Sequence, residues 1–451
     1  MQALNHIQNI YFIGIGGIGM SALARYFKSL GKNVAGYDKT STSLTRTMEA
    51  EGVVVVYDDD LKAIPVEFKN KENTLVVYTP AVPAAHKQLV YFKENEFLLK
   101  KRAALLGLIS KGKTTLAVAG THGKTTTTAI LGHLLKETGA KVTGFLGGIS
   151  EDIQSNLILK GDEVVVVEAD EFDRSFLHLS PNIAAITAMD ADHLDIYGSK
   201  EELEDTFRQF AKLVPENGTL FVKNGLAIAG KTFGIEDNSD YSAQNIKIKN
   251  GSYHFDLKTP NEVIKDFMFN LPGKHNLLNA ITALAMAIQY GSPIPRLTGA
   301  LYSFKGVKRR FSYKIKSDNL VLIDDYAHHP AEIAAVNQAV REMHPGKKVL
   351  AVFQPHLFSR TKDFAEDFAE SLALFDELFL LDIYPARELP IEGVTSAWLL
   401  EKVNSNSKKL IQKENIIAEI KRSKPEVVVL MGAGSIGEEV ESVKKALQDE
   451  A

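Results

Sequence analysis

Short apolar runs alternate with longer amphipathic stretches along most of this chain, the pattern of buried strands separated by helices in an α/β protein. Residues 9–15 predict a buried strand, 20–30 a helix ending at Gly31, and 32–37, 53–57 and 74–78 three further strands. This first unit runs to about residue 109 and reads as a doubly wound sheet. A second opens with a strand at 115–119, a turn rich in Gly and Thr, and a helix to about 137. Buried strands follow at 163–167 and 183–188, and 246–270 alternates like β-ribbon. Residues 276–290 form a strongly apolar helix closed by Gly291, with Pro293 and Pro295 as stop signals. The third unit starts near residue 304, with strands at 321–323, 348–353, 377–381 and 426–431. The expectation is three α/β domains, at 1–109, 110–304 and 305–451, the outer two Rossmann-like and the central one of P-loop type.

Composition narrows what such a chain can do. Its 451 residues suit about three domains at ~150 residues each. The 52 Lys and Arg against 56 Asp and Glu leave a formal net charge of −4, which argues against a protein that coats nucleic acid. There is no cysteine, so disulfides, thiolate nucleophiles, Cys-bound zinc and iron–sulfur clusters are excluded. Apolar runs such as 53–56 and 164–167 fall far short of the ~20 residues of a membrane helix. Residues 1–10 lack the charged and apolar regions of a signal peptide. A soluble cytoplasmic protein, with no nucleic-acid partner and no membrane insertion, is expected; nothing in the sequence fixes its oligomeric state.

The strongest chemical signal is AVAGTHGKTTTT at 117–128. A buried strand runs into Gly120, Thr121, His122 and Gly123, and Lys124, Thr125 and Thr126 open a helix. Glycines let backbone N–H groups approach phosphate oxygens, and the helix N-terminus favours negative charge. Lys124 would reach the β/γ-phosphates and the Thr125 hydroxyl would ligate Mg²⁺. Val118 stands where the usual P-loop has its first glycine, so this is a shorter variant. The similar letters at 112–115 precede the strand and read as a surface turn. Glu168, Asp170, Glu171 and Asp173 follow the 163–167 strand, while Asp190, Asp192 and His193 follow the next, where metal ligands of nucleotide sites lie. Two such edges beside a phosphate loop suggest two metal positions; solvated loops are the alternative.

Gly14, Gly16, Gly17 and Gly19 form a G-x-G-x-x-G turn between the first strand and helix, and Asp38 stands near the ribose-binding acidic position of a dinucleotide fold. The glycines specify a diphosphate at a helix N-terminus. NAD and a nucleotide sugar satisfy this equally, and a purely structural tight turn is the third option.

At this point the chain resembles the Mur ligases, ATP-dependent amide-forming enzymes of peptidoglycan precursor synthesis. The match is carried by GIGGIGMSALA at 14–24, GTHGKTTT at 120–127, EADE at 168–171, SFLHL at 175–179, Asp192 and His193, and GKHNLLNA at 273–280. It continues through DDYAHHP at 324–330, FQPH at 353–356, SRT at 359–361, YPA at 384–386 and GAG at 432–434. The resemblance implies that the first domain binds a UDP-sugar, with Gly14, Gly16, Gly17, Gly19, Met20 and Asp38 at its site. It implies that Lys124 is the phosphate-loop lysine, that Thr125 and Glu168 hold one Mg²⁺, and that His193 holds a second. His275 and Asn279, four apart on one helix face, match adenine contacts; an interhelical polar pair is the other reading. Of Arg309 and Arg310, one is implied to reach ATP phosphate, a basic linker being the other reading; in the third domain Asp325 is implied near the nucleotide and Tyr326 and His328 near the incoming amino acid. Arg360 matches a carboxylate-holding arginine, and some relatives carry a second arginine where this chain has Leu357. Residues adjacent on a strand face opposite sides, so His328 and His329 are not expected to share one ion. Trp398 reads as packing.

The subgroup so implied takes UDP-N-acetylmuramate, L-alanine and ATP with Mg²⁺, at the two ion positions named above, and proceeds through an acyl phosphate. Rival readings are a recycling ligase that joins a murein tripeptide to the same sugar nucleotide and, more remotely, a folate polyglutamylating relative. From other classes, an NAD-dependent dehydrogenase would leave the Lys124 loop idle, and a non-catalytic nucleotide sensor would bind without turnover.

Overall fold

The computed structural model describes residues 6–190, 197, 199–249, 251–386 and 388–448. Its first sheet is wholly parallel. Asn9–Ile13 (β1), Asn33–Tyr37 (β2), Val54–Val56 (β3), Thr74–Tyr78 (β4) and Leu98–Lys101 (β5) lie in the order β3-β2-β1-β4-β5. The order reverses between β1 and β4, and ligands of open α/β sheets bind at the carboxyl ends of such a pair. The helix Ile18–Ser29 (α1) leaves β1 through the glycine turn and starts two residues before its expected position. Leu30 and Gly31, at φ 76°, close it.

The second sheet is built around Thr114–Ala119 (β6). Val142–Ser150 (β7), Ser155–Leu159 (β8), Val164–Glu168 (β9), Ile183–Ile186 (β10), Thr219–Lys223 (β11) and Lys231–Ile235 (β12) give the order β12-β11-β10-β6-β9-β7-β8. Here β6 lies between β10 and β9, all parallel, so their three carboxyl ends share one edge. Val164–Val167 are wholly buried, the continuous apolar run expected of a central parallel strand. The ribbon 246–270 proves to be three longer strands, Tyr241–Lys249 (β13), Ser252–Lys258 (β14) and Val263–Phe269 (β15).

In the third sheet, Ser312–Lys316 (β16), Val321–Asp325 (β17), Val349–Phe353 (β18), Glu377–Leu380 (β19), Lys408–Leu410 (β20) and Val427–Met431 (β21) run β16-β17-β21-β18-β19-β20. Only β16 is antiparallel to its neighbour among the pairs of this sheet. Sequence periodicity passed over β5, β7, β8, β11, β12, β16 and β20. β7 contains Gly144, Gly147 and Gly148, which depress strand propensity, and β5, β16 and β20 are short strands with several lysines.

By contacts the chain forms two compact units. The first is 1–246 with 255–268 and 278–304; the second is 247–254 with 269–277 and 305–451. Both of the first two sheets lie in the first unit, and one continuous core joins them: Phe12, Leu23 and Phe27 with Ala117, Phe145 and Val167. α1 is therefore buried on most of its surface, with Tyr26 edge-on to Phe145 at 5.3 Å between ring centres. A buried polar network reinforces this contact. Arg25 donates to both oxygens of Glu51 at 2.7 and 2.9 Å and to Asn156 Oδ1, and Asn156 donates to Ile18 O and Ser21 Oγ. Among the described residues no helix is long and apolar enough to cross a membrane.

Candidate active site

The phosphate loop follows from local sequence. Gly123, at φ 81°, caps the helix Lys124–Glu137 (α2), a backbone conformation that a side chain would strain. The loop is close-packed: a Cβ on Gly120 would lie 2.2 Å from Thr187 Oγ1, and one on Gly123 would lie 2.4 Å from Asn279 Oδ1. Asn279 is buried and stands against the loop, whereas His275 is exposed. Thr121 N–H donates to Ala188 O at 3.1 Å and its hydroxyl accepts from Asp190 N–H, tying the loop to the end of β10. His122 Nε2 lies 3.6 Å from Asp190.

Lys124 is held rather than extended. Its Nζ donates to Gly120 O at 2.7 Å and to Glu171 Oε1 at 2.6 Å. Burial works against its charge, yet Glu171, Glu168 and Asp170 together keep its pKa above the ordinary lysine value. Glu171 is 1% exposed, and among the described residues Lys124 is the cation paired with it. Sequence reasoning placed it in the acidic cluster without giving it this role.

The two residues expected to hold Mg²⁺ do meet: the Thr125 hydroxyl donates to Glu168 Oε1 at 3.1 Å. Glu168 ends β9 opposite Val118 of β6, so strand register sets this contact. The carboxylate also occupies space that only glycine leaves, since a Cβ on Gly147 would stand 2.0 Å from Glu168 Oε2. Gly147 is a site residue missed from sequence; a Gly-Gly pair inside a strand next to the loop was the available signal. Hydroxyl and carboxylate oxygens suit a hard cation. Asp192 and His193 lie outside the described residues, and no group of three or more His, Asp or Glu converges on a metal-sized space among those described.

At the glycine turn, Gly14 has φ 88° and the Gly16 N–H donates to Asp38 Oδ2 at 2.7 Å. Asp38 therefore braces the turn. A Cβ on Gly16 would stand 2.8 Å from Asp38 Oδ2 and from Thr45 Cγ2. Gly17, Gly19 and Met20 line a cavity of about 290 Å³ that reaches Glu168 and Asp170. This cavity in the first unit thus runs from the glycine turn to Glu168. Arg102 stands in its wall and donates to Asp170 Oδ2 at 3.0 Å.

The second unit gathers the remaining expected residues around the carboxyl ends of β17, β18 and β21. Asp325 accepts N–H groups of Phe311 at 2.6 Å and Ala327 at 2.7 Å, and burial pushes its pKa up to about 6 against the pull of Arg310 and these donors. β17 runs to Asp325, two residues past the expected strand, and Tyr326–His329 are connection, so the strand alternation applied to His328 and His329 does not operate there; the Asp325 bond to Ala327 turns the chain out of the sheet. His328 and His329 still diverge: His328 Nδ1 faces Tyr326 O at 3.0 Å and Glu332 at 3.2 Å, while the His329 ring meets Phe364. Burial, Arg360 and Arg310 hold the His328 pKa below the usual histidine range against Glu332. Arg309 and Arg310 lie over Tyr326 at 5.0 and 5.3 Å, and Arg309 also bonds Gly432 O. Arg360 Nη1 approaches His356 Nδ1 at 3.4 Å, and His356 stacks on Tyr384. Leu357 caps the short helix carrying Arg360 at φ 72°. Trp398 packs on the core of this unit beneath Lys402. In the first unit, the 112–115 stretch is a turn running into β6, as expected.

Two glycine turns at the carboxyl ends of parallel strands, one of them opening on Lys124 beside Glu168 and Glu171, suit a protein that binds phosphate groups. Three descriptions cover the chain: the Mur ligase family catalytic domain at 9–114, the Mur ligase middle domain at 118–287, and the Mur ligase glutamate ligase domain at 309–434. The chain belongs to the Mur ligase family and is an amide-forming ligase. It is 72% identical to the UDP-N-acetylmuramate–L-alanine ligase of Christiangramia forsetii over 100% of both chains, and 46% identical to that of Parabacteroides distasonis over 98% of each. The solved UDP-N-acetylmuramate–alanine ligase of Thermotoga maritima superposes with a TM-score of 0.84 at 28% identity, over 98% of this chain and 100% of that one.

Proposed function

We propose that this chain joins L-alanine to the lactyl carboxylate of UDP-N-acetylmuramate, using ATP, in cytoplasmic peptidoglycan precursor synthesis. The names and full-length identity of the relatives support the substrates. The observation that carries the chemistry is the cavity joining the Gly14–Gly19 turn to Glu168, because the reaction needs a sugar-borne acid beside a nucleotide phosphate. In this reading 1–109 binds the sugar nucleotide, 110–304 binds ATP and 305–451 receives alanine.

A carboxylate is a poor acyl donor because its oxygen is a poor leaving group. The lactyl oxygen attacks the γ-phosphorus of ATP, and ADP leaves. The alanine nitrogen then attacks the acyl carbon, and phosphate leaves with the electron pair of the C–O bond. The protein's part is positioning and charge neutralisation. Gly14, Gly16, Gly17, Gly19 and Met20 hold the diphosphate region, with Asp38 bracing the turn. Gly120, Thr121, His122, Gly123 and Thr126 present backbone and hydroxyl groups to ATP phosphates, and Lys124 exchanges Glu171 for them. Thr125 and Glu168 would hold one Mg²⁺, which when bound offsets phosphate charge; His193 is assigned to a second. Asn279, His275, Arg310 and Asp325 are assigned to ATP, and Tyr326, His328 and Arg360 to alanine.

ADP release is the test, with ATP, Mg²⁺ and UDP-N-acetylmuramate, adding L-alanine, the murein tripeptide, or neither. Turnover that requires L-alanine, with product of the matching mass, is expected. Turnover with the tripeptide alone, or none in a folded ATP-binding sample, overturns the reading.

A further inference from the structure

We infer that Arg102 is a specificity-determining residue that reads the carboxylate of the acid-bearing sugar nucleotide; this rests on the function proposed above. Arg102 opens the helix Arg102–Ser110 directly after β5. Its guanidinium lies over Gly19, where a Cβ would stand 2.8 Å from Nη1, so glycine at this position admits it. From there Nη2 reaches Asp170 at 3.0 Å. The side chain thus bridges the two ends of the 290 Å³ cavity, the diphosphate turn and the carboxylate edge.

Charge decides what it can bind. Among the residues lining the cavity, Arg102 is the only cation, while Glu168 and Asp170 are both acidic and the rest are apolar or small, Phe145, Leu146 and Leu106 among them. A diphosphate at the turn has the backbone N–H groups and helix dipole of α1. A carboxylate at the other end meets two acidic side chains, and Arg102 is the cation in the cavity wall that faces it. Among the described residues Arg102 makes one hydrogen bond, to Asp170, of the five N–H groups a guanidinium offers, and its side chain remains 20% exposed. The planar fork suits a carboxylate. On entry of substrate, Arg102 trades its single contact with Asp170 for the lactyl oxygens, which sets that acid beside Glu168.

Binding of two sugar nucleotides to the full chain without ATP tests this. UDP-N-acetylmuramate carries the lactyl acid; UDP-N-acetylglucosamine has the same uridine and diphosphate without it. Arg102→Ala should weaken the first about tenfold or more and change the second less than about twofold. Arg102→Lys, which keeps the charge but loses the fork, should weaken only the first and by less, and it serves if the alanine variant fails to fold. Equal weakening of both ligands would assign Arg102 to the diphosphate and overturn the inference, as would no change in either. A wild-type chain that does not bind UDP-N-acetylmuramate would instead remove the underlying substrate assignment.

Discussion

The first unit contains two glycine turns built on one plan, and their differences separate holding a phosphate from transferring one. Each leaves a strand with parallel neighbours on both sides, β1 or β6, at a point where strand order reverses, and each opens a buried helix. The turn at 14–19 has no charged residue at the start of its helix, and its nearest carboxylate, Asp38, is spent on the Gly16 N–H. It offers a ligand backbone donors and a dipole, which suffice to fix a diphosphate that does not react. The turn at 120–125 opens on Lys124, with Glu168 and Glu171 from the neighbouring strand at 3.1 Å from Thr125 Oγ1 and 2.6 Å from Lys124 Nζ. Mobile charge is what a transferred phosphoryl group requires, because negative charge shifts between oxygens as the bond breaks. A glycine turn alone therefore does not reveal its task; the charges from neighbouring strands do.

The comparison can be broken most forcefully at Lys124. Lys124→Ala should lower kcat for ADP release by about 10³-fold or more while leaving UDP-N-acetylmuramate binding intact; wild-type-like turnover would mean the second turn is as passive as the first. Glu168→Gln should lower kcat by about 10²-fold and raise the Mg²⁺ concentration needed for half-maximal rate. A Mg²⁺ profile identical to wild type would detach Glu168 from the metal. For the passive turn, Gly16→Ala forces its Cβ against Asp38 and Thr45. It should raise KM for UDP-N-acetylmuramate about tenfold with KM for ATP unchanged, and a kcat effect alone would contradict a holding role.

The smallest effect lies in the second unit. A carbon-detected titration of Asp325 should have its midpoint near 6 rather than at the ordinary 3.8. Because the folded value is raised, its contribution to stability is fully present below about 3.8 and is lost as pH rises through about 6. A midpoint near 3.8 would show that its two backbone donors outweigh burial.

Legibility followed the range of the interaction. The phosphate loop was readable because strand, glycines, lysine and helix are consecutive, and so was the pairing of Thr125 with Glu168 once the resemblance supplied it. The strand alternation applied to His328 and His329 missed the turn imposed by Asp325, a side-chain bond that periodicity does not register. Gly147, Arg102 and Glu171 were not singled out, since each matters through a partner distant in sequence: Glu168, Asp170 and Lys124. Asp38 was read as a ribose ligand from its position after β2, and its bond to Gly16 appears only when β1 and β2 lie side by side.

By itself the sequence determined the α/β class, most of the central strands, both glycine turns and the family, because these depend on residues close together along the chain. Tertiary structure alone decided that the first two sheets share one core, that Glu171 holds Lys124, and that a single cavity joins the diphosphate turn to Glu168. Those outcomes depend on register between parallel strands and on how two sheets pack across α1. Hydrophobic burial selects both collectively, and no local run of residues encodes either.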